Sequence, residues 1–177
     1  MAVLQTIRSI FAPAVLKQPA AIGSAPSSRY AIRPLVKPHL KELIPVNREC
    51  FPNGDNYTKH TFSYLLEDPS TLGYRIDSAE GEMAGFLFVM LNPDGAAHIT
   101  TVGVLPAHRR RGLAERLMSH LEHVLRIKGV TTVALEVRAA NTDAQRLYRR
   151  AGYMEVQRLP RYYNDGEDGL LMIRSLI

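Results

Sequence analysis

The sequence predicts an α/β domain built on a predominantly antiparallel sheet flanked by helices. Two strand-like runs, residues 73–77 and 84–91, lie on either side of a turn-forming segment at 78–81, the pattern of a β-hairpin. A long helical period over residues 111–128 puts Leu113, Leu117, Leu121 and Val124 on one face and ends at Gly129. Strands and helices of this order fill the rest of the chain, with no repeat and no interdomain linker.

Residues 30–34 (YAIRP) read as a short first strand. Residues 39–50 are helical in part, with Pro45 marking a break or a second helix start. Residues 50–58 (CFPNGDNYT) form a turn-rich surface loop, and residues 58–66 another helix. After the hairpin, residues 98–105 (HITTVGVL) make the strand that leads into the long helix. Residues 133–138 give a strand, and 142–151 a helix stopped by Gly152. Residues 153–159 and 168–176 form a final strand pair.

A chain of 177 residues with 46% hydrophobic content is most simply one domain with one core. Its single cysteine, Cys50, excludes an internal disulfide framework and fits a reducing compartment, so the cytoplasm is the expected location. With no paired base nearby, Cys50 reads as a small buried hydrophobe rather than a nucleophile. No run approaches the roughly 18 apolar residues of a membrane span, and no membrane partner is expected.

The net charge of +5 sits at one end of the chain. Residues 1–41 hold six basic side chains and no acidic one, leaving 16 basic against 17 acidic in residues 42–177. The body is near neutral, so a nucleic acid is not an expected partner. Residues 1–29 are rich in alanine, proline and serine and read as a flexible extension with a short helix near residues 4–11. An acid-poor amphipathic transit peptide fits the same composition, whereas Arg8 and Pro13 interrupt the apolar core a secretory signal needs. The folded domain is expected over residues 30–177.

Residues 107–116 (AHRRRGLAER) carry the sharpest chemical signal. A strand runs into a basic turn, then small residues, then a helix. A helix start offers unpaired N–H groups and a positive dipole end to a phosphate. Gly112 and Ala114 leave room for a pyrophosphate to approach the backbone, and Arg109, Arg110 and Arg111 can add charge-assisted bonds. Neither a GxxxxGK[ST] loop nor a GxGxxG fingerprint occurs.

Arg109, Gly112 and Ala114 fill an R-x-x-G-x-A pattern that resembles the acetyl-CoA pyrophosphate loop of the GNAT N-acetyltransferases. Two further blocks follow in the family's order: LEVRAANTDAQRLYRRAGY at 135–153 and RYYNDGEDGLLM at 161–172. The first resembles ribosomal-protein alanine N-acetyltransferases (RimI-like). The second, with HRRRGLA, is similar to the catalytic subunits of archaeal and eukaryotic N-terminal acetyltransferases. The resemblance implies the GNAT fold, a mixed, mostly antiparallel sheet whose two central strands splay to admit the arm of acetyl-CoA. It implies acetyl-CoA as cosubstrate, held by Arg109, Arg110, Arg111, Gly112, Leu113 and Ala114, and no metal. Backbone groups of Val102 and Val104 would pair with the pantetheine as another strand does. Asn141, at a natural N-cap position, would also bind that arm.

In VALEVR, Val133, Leu135 and Val137 share one strand face, and Glu136 projects from the other beside Ala134 and Arg138. Spacing alone allows a solvated carboxylate or a pair with Arg138; the resemblance assigns Glu136 as the general base. His98, by position a polar residue at a strand start, aligns with a helper that orders water and substrate. Tyr148 fits core packing with an edge hydroxyl, and the resemblance makes it the acid that protonates the departing thiolate. Phe51, Pro52, Tyr162 and Tyr163 look like the loops that grip a peptide's first residues, although aromatics in such loops serve equally as local staples. Asn53 and Gly54 replace a loop glutamate of some archaeal and eukaryotic members. His120 and His123 lack a third ligand at metal-binding spacing and read as a solvated helix face.

The expected function is direct transfer of acetyl from acetyl-CoA to a protein or peptide N-terminus, ribosomal proteins included, through a ternary complex. Acetylation of a small-molecule amine or a lysine is the alternative, followed by a non-catalytic acyl-CoA-binding module. Deleting residues 1–28 should leave melting temperature and turnover near those of the full chain, because the resemblance begins near Tyr30. A large fall in melting temperature would show that the extension packs on the domain.

Overall fold

A computed structural model describes residues 29–52 and 56–177. The expected extension through residue 28 and the Asn53, Gly54 pair lie outside the described residues. The described residues fall into two compact units, one formed by residues 29–90 and 99–121, the other by 91–98 and 122–177.

The first unit starts with β1 (Tyr30–Pro34) and a short 3-10 turn (Lys37–His39). Helices α1 (Leu40–Cys50) and α2 (Lys59–Glu67) follow, then strands β2 (Thr71–Ser78) and β3 (Met83–Leu91). β1 pairs antiparallel with β2 from Tyr30↔Ser78 to Pro34↔Tyr74, and β2 pairs antiparallel with β3. The expected turn closes through Gly81 N to Ser78 O at 3.0 Å, with Gly81 at φ 87°. Leu43, Phe62, Phe86 and Phe88 are wholly buried and form the centre of an apolar cluster that also takes in Leu35, Leu65 and Leu105.

Pro45 neither breaks α1 nor starts a second helix; it lies inside one continuous helix. The N–H it lacks would have served the carbonyl of Lys41, and both residues are on the exposed side, where that carbonyl is open to solvent. The opposite face buries Leu43, Val46, Asn47 and Cys50, and this packing outweighs the lost bond. Thr58 caps α2 by accepting from Thr61 N at 3.1 Å.

The second unit holds β5 (Thr132–Arg138), α4 (Thr142–Arg150), β6 (Met154–Leu159) and β7 (Gly169–Ser175). β7 is antiparallel to β5 and to β6, so β7 lies between them. β4 (Ala96–Val104) and α3 (Leu113–Ile127) contribute residues to both units. β4 is parallel to β5 in a register running from Ala96↔Thr132 to His98↔Ala134. Both strands continue past that register. The strand order is β1-β2-β3-β4-β5-β7-β6, mostly antiparallel with one parallel pair. α3 begins at Leu113 rather than Arg111, because Arg110 and Gly112 hold left-handed φ angles of 62° and 73°.

Cys50 is the buried hydrophobe expected. It is 7% exposed, and burial pushes its thiol up to about 12 against the opposing pull of Arg109. At pH 8 such a thiol is about one part in 10⁴ thiolate, against roughly one in four for an ordinary cysteine. Ellman's reagent at pH 8 should therefore label Cys50 about 10³-fold more slowly in the native protein than in urea. Equal rates would contradict this placement.

Candidate active site

Two groups of residues carry chemistry, one in each unit. In the second unit, β5 alternates as the sequence requires: Val133, Leu135 and Val137 are buried, and Glu136 lies on the other face with Ala134 and Arg138. His98 stands opposite Ala134 in the parallel register, which brings its ring to the next same-face residue of β5. His98 Nε2 and Glu136 Oε2 are 2.6 Å apart. The Glu136 side chain is 7% exposed, and its second oxygen, Oε1, is buried with no hydrogen-bond partner among the described residues. Glu136 is thus neither solvated nor paired with Arg138. Arg138 turns to the β6–β7 loop, donating to Asp165 at 2.8 Å and Glu167 at 2.6 Å.

Tyr148 is buried on α4, its ring 6.0 Å from that of Tyr153, and burial pushes its phenol up to about 12. Asn141 caps α4, its side chain accepting from Ala144 N at 3.0 Å. Gln145 and Tyr148 are the buried residues of α4, with Ala144 and Leu147 half-buried beside them. Gln145 Nε2 donates to the carbonyls of Arg138 and Ala139 at 3.1 and 2.8 Å, tying α4 to the end of β5. Sequence reasoning missed this residue; its only signal is the three-residue spacing to Tyr148.

Tyr162 and Tyr163 sit in the β6–β7 loop with rings edge to face at 5.1 Å. The Arg138 guanidinium lies over the Tyr163 ring at 4.1 Å, so this loop is anchored to the strand that carries Glu136.

The first unit contains the basic turn. Residues Pro106–His108 form a 3-10 turn, followed by the left-handed Arg110 and Gly112. The bond from Arg116 N to Gly112 O at 3.0 Å opens α3, and the N–H groups of Leu113 and Ala114 precede it in the first turn. A Cβ at Gly112 would meet nothing nearer than Glu115 Oε2 at 4.0 Å, leaving the backbone open to a ligand. The residues present therefore fit a phosphate group. The arginines, however, brace the turn. Arg109 donates to Val104 O at 3.1 Å and Cys50 O at 3.3 Å; Arg111 donates to Tyr30 Oη at 2.6 Å and Ala107 O at 3.2 Å. The Val104 carbonyl is thus already engaged by Arg109, while Val102 and Val104 are half-buried on β4.

Phe51 packs against the apolar cluster with its ring 6.4 Å from Phe86, the staple arrangement, and Pro52 is exposed. His120 is not on a solvated face: it is half-buried, with its ring edge-on to Tyr74 at 4.7 Å, whereas His123 is exposed. Among the described residues no group of three or more His, Cys, Asp or Glu is arranged to hold a metal ion.

The acetyltransferase (GNAT) family matches the chain over residues 40–153. The chain is 27% identical over 159 residues to an N-alpha-acetyltransferase of Sulfurisphaera tokodaii, covering 83% of this chain and 93% of that protein. It is 32% identical over 144 residues to an N-alpha-acetyltransferase of Caenorhabditis elegans, covering 77% and 78%. Its structure resembles the crystal structure of the ribosomal-protein-S18-alanine N-acetyltransferase from Escherichia coli, with a TM-score of 0.76 and 27% identity over 83% of this chain and 94% of that one. With its strand order and its strand–turn–helix segment, the chain belongs to the acetyltransferase (GNAT) family and is an acetyltransferase.

Proposed function

We propose that this acetyltransferase transfers acetyl from acetyl-CoA to the α-amino group of a protein or peptide N-terminus, directly and within a ternary complex. The state of Glu136 carries this reading: Oε2 is bonded to His98 and Oε1 is buried without a donor. Leaving a buried acceptor unpaired costs about 1–3 kcal/mol, and an incoming amine supplies the missing donor. The N-alpha-acetyltransferases among the relatives support an α-amino acceptor over a lysine or a small amine. The likeness to a ribosomal-protein acetyltransferase supports ribosomal proteins as candidate substrates.

An N-terminal amine, with a pKa of about 7.7–8.0, is substantially neutral at physiological pH, whereas a lysine near ~10.4 is not. A modest base therefore suffices. Glu136, directly or through a water, takes the amine proton as nitrogen bonds to the thioester carbonyl carbon, and His98 holds the carboxylate in place. The carbon–sulfur bond then breaks, and its electron pair stays on sulfur. Tyr148, with its phenol near 12, donates a hydrogen bond to that thiolate. The phenol, raised by burial, stays protonated until the thiolate forms, and Tyr148 is the proposed acid that protonates it.

Residues 109–114, Asn141 and the backbone of Val102 and Val104 are the proposed acetyl-CoA contacts. Tyr162, Tyr163, Phe51 and Pro52 are the proposed peptide contacts, with Phe51 contributing through its loop rather than its core-facing ring. We assign the catalytic domain to residues 30–177 and the reaction to the cytoplasm, which suits a single buried thiol. No helix among the described residues is long and apolar enough to cross a membrane.

Glu136→Gln should retain acetyl-CoA affinity and lower the rate of peptide acetylation by roughly 10²–10⁴-fold. His98→Ala should cost less than Glu136→Gln, and Tyr148→Phe should slow thiolate departure while leaving the fold intact. Rates should be followed by mass spectrometry on several N-terminal peptides at saturating acetyl-CoA. Wild-type rates for both Glu136→Gln and Tyr148→Phe across the pH range would contradict these assignments.

A further inference from the structure

Tyr30, the first residue of β1, ties the basic turn to the sheet. Its hydroxyl is 2.6 Å from Arg111 Nη1 and 3.0 Å from His108 Nδ1, and its carbonyl accepts from Arg116 Nη2 at 2.9 Å. The Tyr30 and His108 rings meet edge to face with centroids 5.7 Å apart. His108 extends the chain of bonds, its Nε2 lying 3.0 Å from Glu82 Oε2 in the turn between β2 and β3. Glu82 is itself fixed there, its carbonyl accepting from Ser78 N at 2.8 Å, and Ser78 is the register partner of Tyr30.

The Nε2–H tautomer of His108 satisfies every group in this chain. Arg111 donates to the Tyr30 oxygen, the Tyr30 hydroxyl donates to His108 Nδ1, and His108 Nε2–H donates to the Glu82 carboxylate. A cation at one end and a carboxylate at the other polarise each bond in the same direction.

The network holds the part of the turn that needs holding. Arg111 lies between Arg110 and Gly112, whose φ angles of 62° and 73° are left-handed. Arg110 is not a glycine, and a side-chain-bearing residue keeps that conformation only where its surroundings fix it. The remaining Arg111 bond, to Ala107 O at 3.2 Å, stays within the turn. Among the described residues, the bond to Tyr30 is the one that joins Arg111 to the sheet.

We propose that Tyr30, backed by His108 and Glu82, is a positioning residue for acetyl-CoA binding: by fixing Arg111 it holds the Arg110–Gly112 backbone so that the N–H groups opening α3 face the pyrophosphate. The proposal rests on the assignment of this turn to acetyl-CoA. Tyr30 acts through Arg111 and through the shape of the turn. Its effect belongs to cofactor affinity, not to the chemical step.

Tyr30→Phe removes the hydroxyl alone. Calorimetry should find acetyl-CoA bound about tenfold more weakly, the size expected for a lost bond to a charged group. The acetyl-CoA KM should rise by a similar factor, while kcat at saturating acetyl-CoA and the peptide KM stay within about twofold of wild type. Trypsin should cleave the ligand-free variant several-fold faster after Arg109, Arg110 and Arg111, a readout that needs no acetyl-CoA. Because His108 acts through the same hydroxyl, Tyr30→Phe with His108→Ala should bind acetyl-CoA within about twofold of Tyr30→Phe alone.

A wild-type protein that does not bind acetyl-CoA would overturn the site assignment and this role with it. A wild-type protein that binds, beside a Tyr30→Phe variant unchanged in affinity and in trypsin cleavage, would overturn the role of Tyr30 only. A loss shared equally by kcat and KM with a lowered melting temperature would make Tyr30 a stability residue, and multiplicative losses in the double variant would break the proposed chain.

Discussion

The bond between His98 and Glu136 is the constraint around which the candidate catalytic residues are arranged. It exists because β4 and β5 run parallel with His98 opposite Ala134, so that the next residue on the same face of β5 meets the imidazole. Pairing uses one carboxylate oxygen and leaves the other buried with no donor among the described residues. A fully satisfied carboxylate would be a structural element; a half-satisfied one in a sheet is a proton acceptor in waiting. Arg138, two residues on and sharing the face, is withdrawn from Glu136 by Asp165 and Glu167. The same strand therefore carries the proposed base and the anchor for the loop that holds Tyr162 and Tyr163. Gln145 fastens the end of that strand to α4, which carries Tyr148.

The basic turn obeys a different logic from the one its composition suggests. Three consecutive arginines invite a picture of cations aimed at phosphate. Two of them instead bond to protein carbonyls and to a tyrosine hydroxyl, holding a backbone with two left-handed residues. The helix N-terminus then remains as the proposed anion-binding feature, with Gly112 leaving it uncovered. Charge here stabilises a shape, and the shape presents the donors.

Local pattern made much of this legible. Alternation in VALEVR placed Glu136 off the buried face, the turn at Ser78–Gly81 marked the hairpin, and apolar spacing located α3. What local pattern lacks is partnership. His98 and Glu136 are 38 residues apart, and their bond follows from a parallel pairing that no short window encodes. Arg138 beside Glu136 in the strand looked like an available partner until the β6–β7 loop supplied two carboxylates. Phe51 read equally well as a substrate contact and as a staple, and its packing beside Phe86, 35 residues on, is a tertiary contact that the loop's own sequence does not encode. Pro45 looked like a helix break because propensity is local, whereas the burial of Leu43, Val46 and Cys50 that keeps α1 continuous is tertiary.

The claim that the acceptor is an α-amino group is tested most directly by the position of the acetyl group in the product. A peptide with a free N-terminus and an internal lysine, incubated with the full chain and acetyl-CoA, should gain one acetyl group, and fragmentation should place it on the α-nitrogen. The same peptide blocked at its N-terminus should remain unmodified. Acetylation of the lysine at a comparable rate, or of the blocked peptide, would contradict the account.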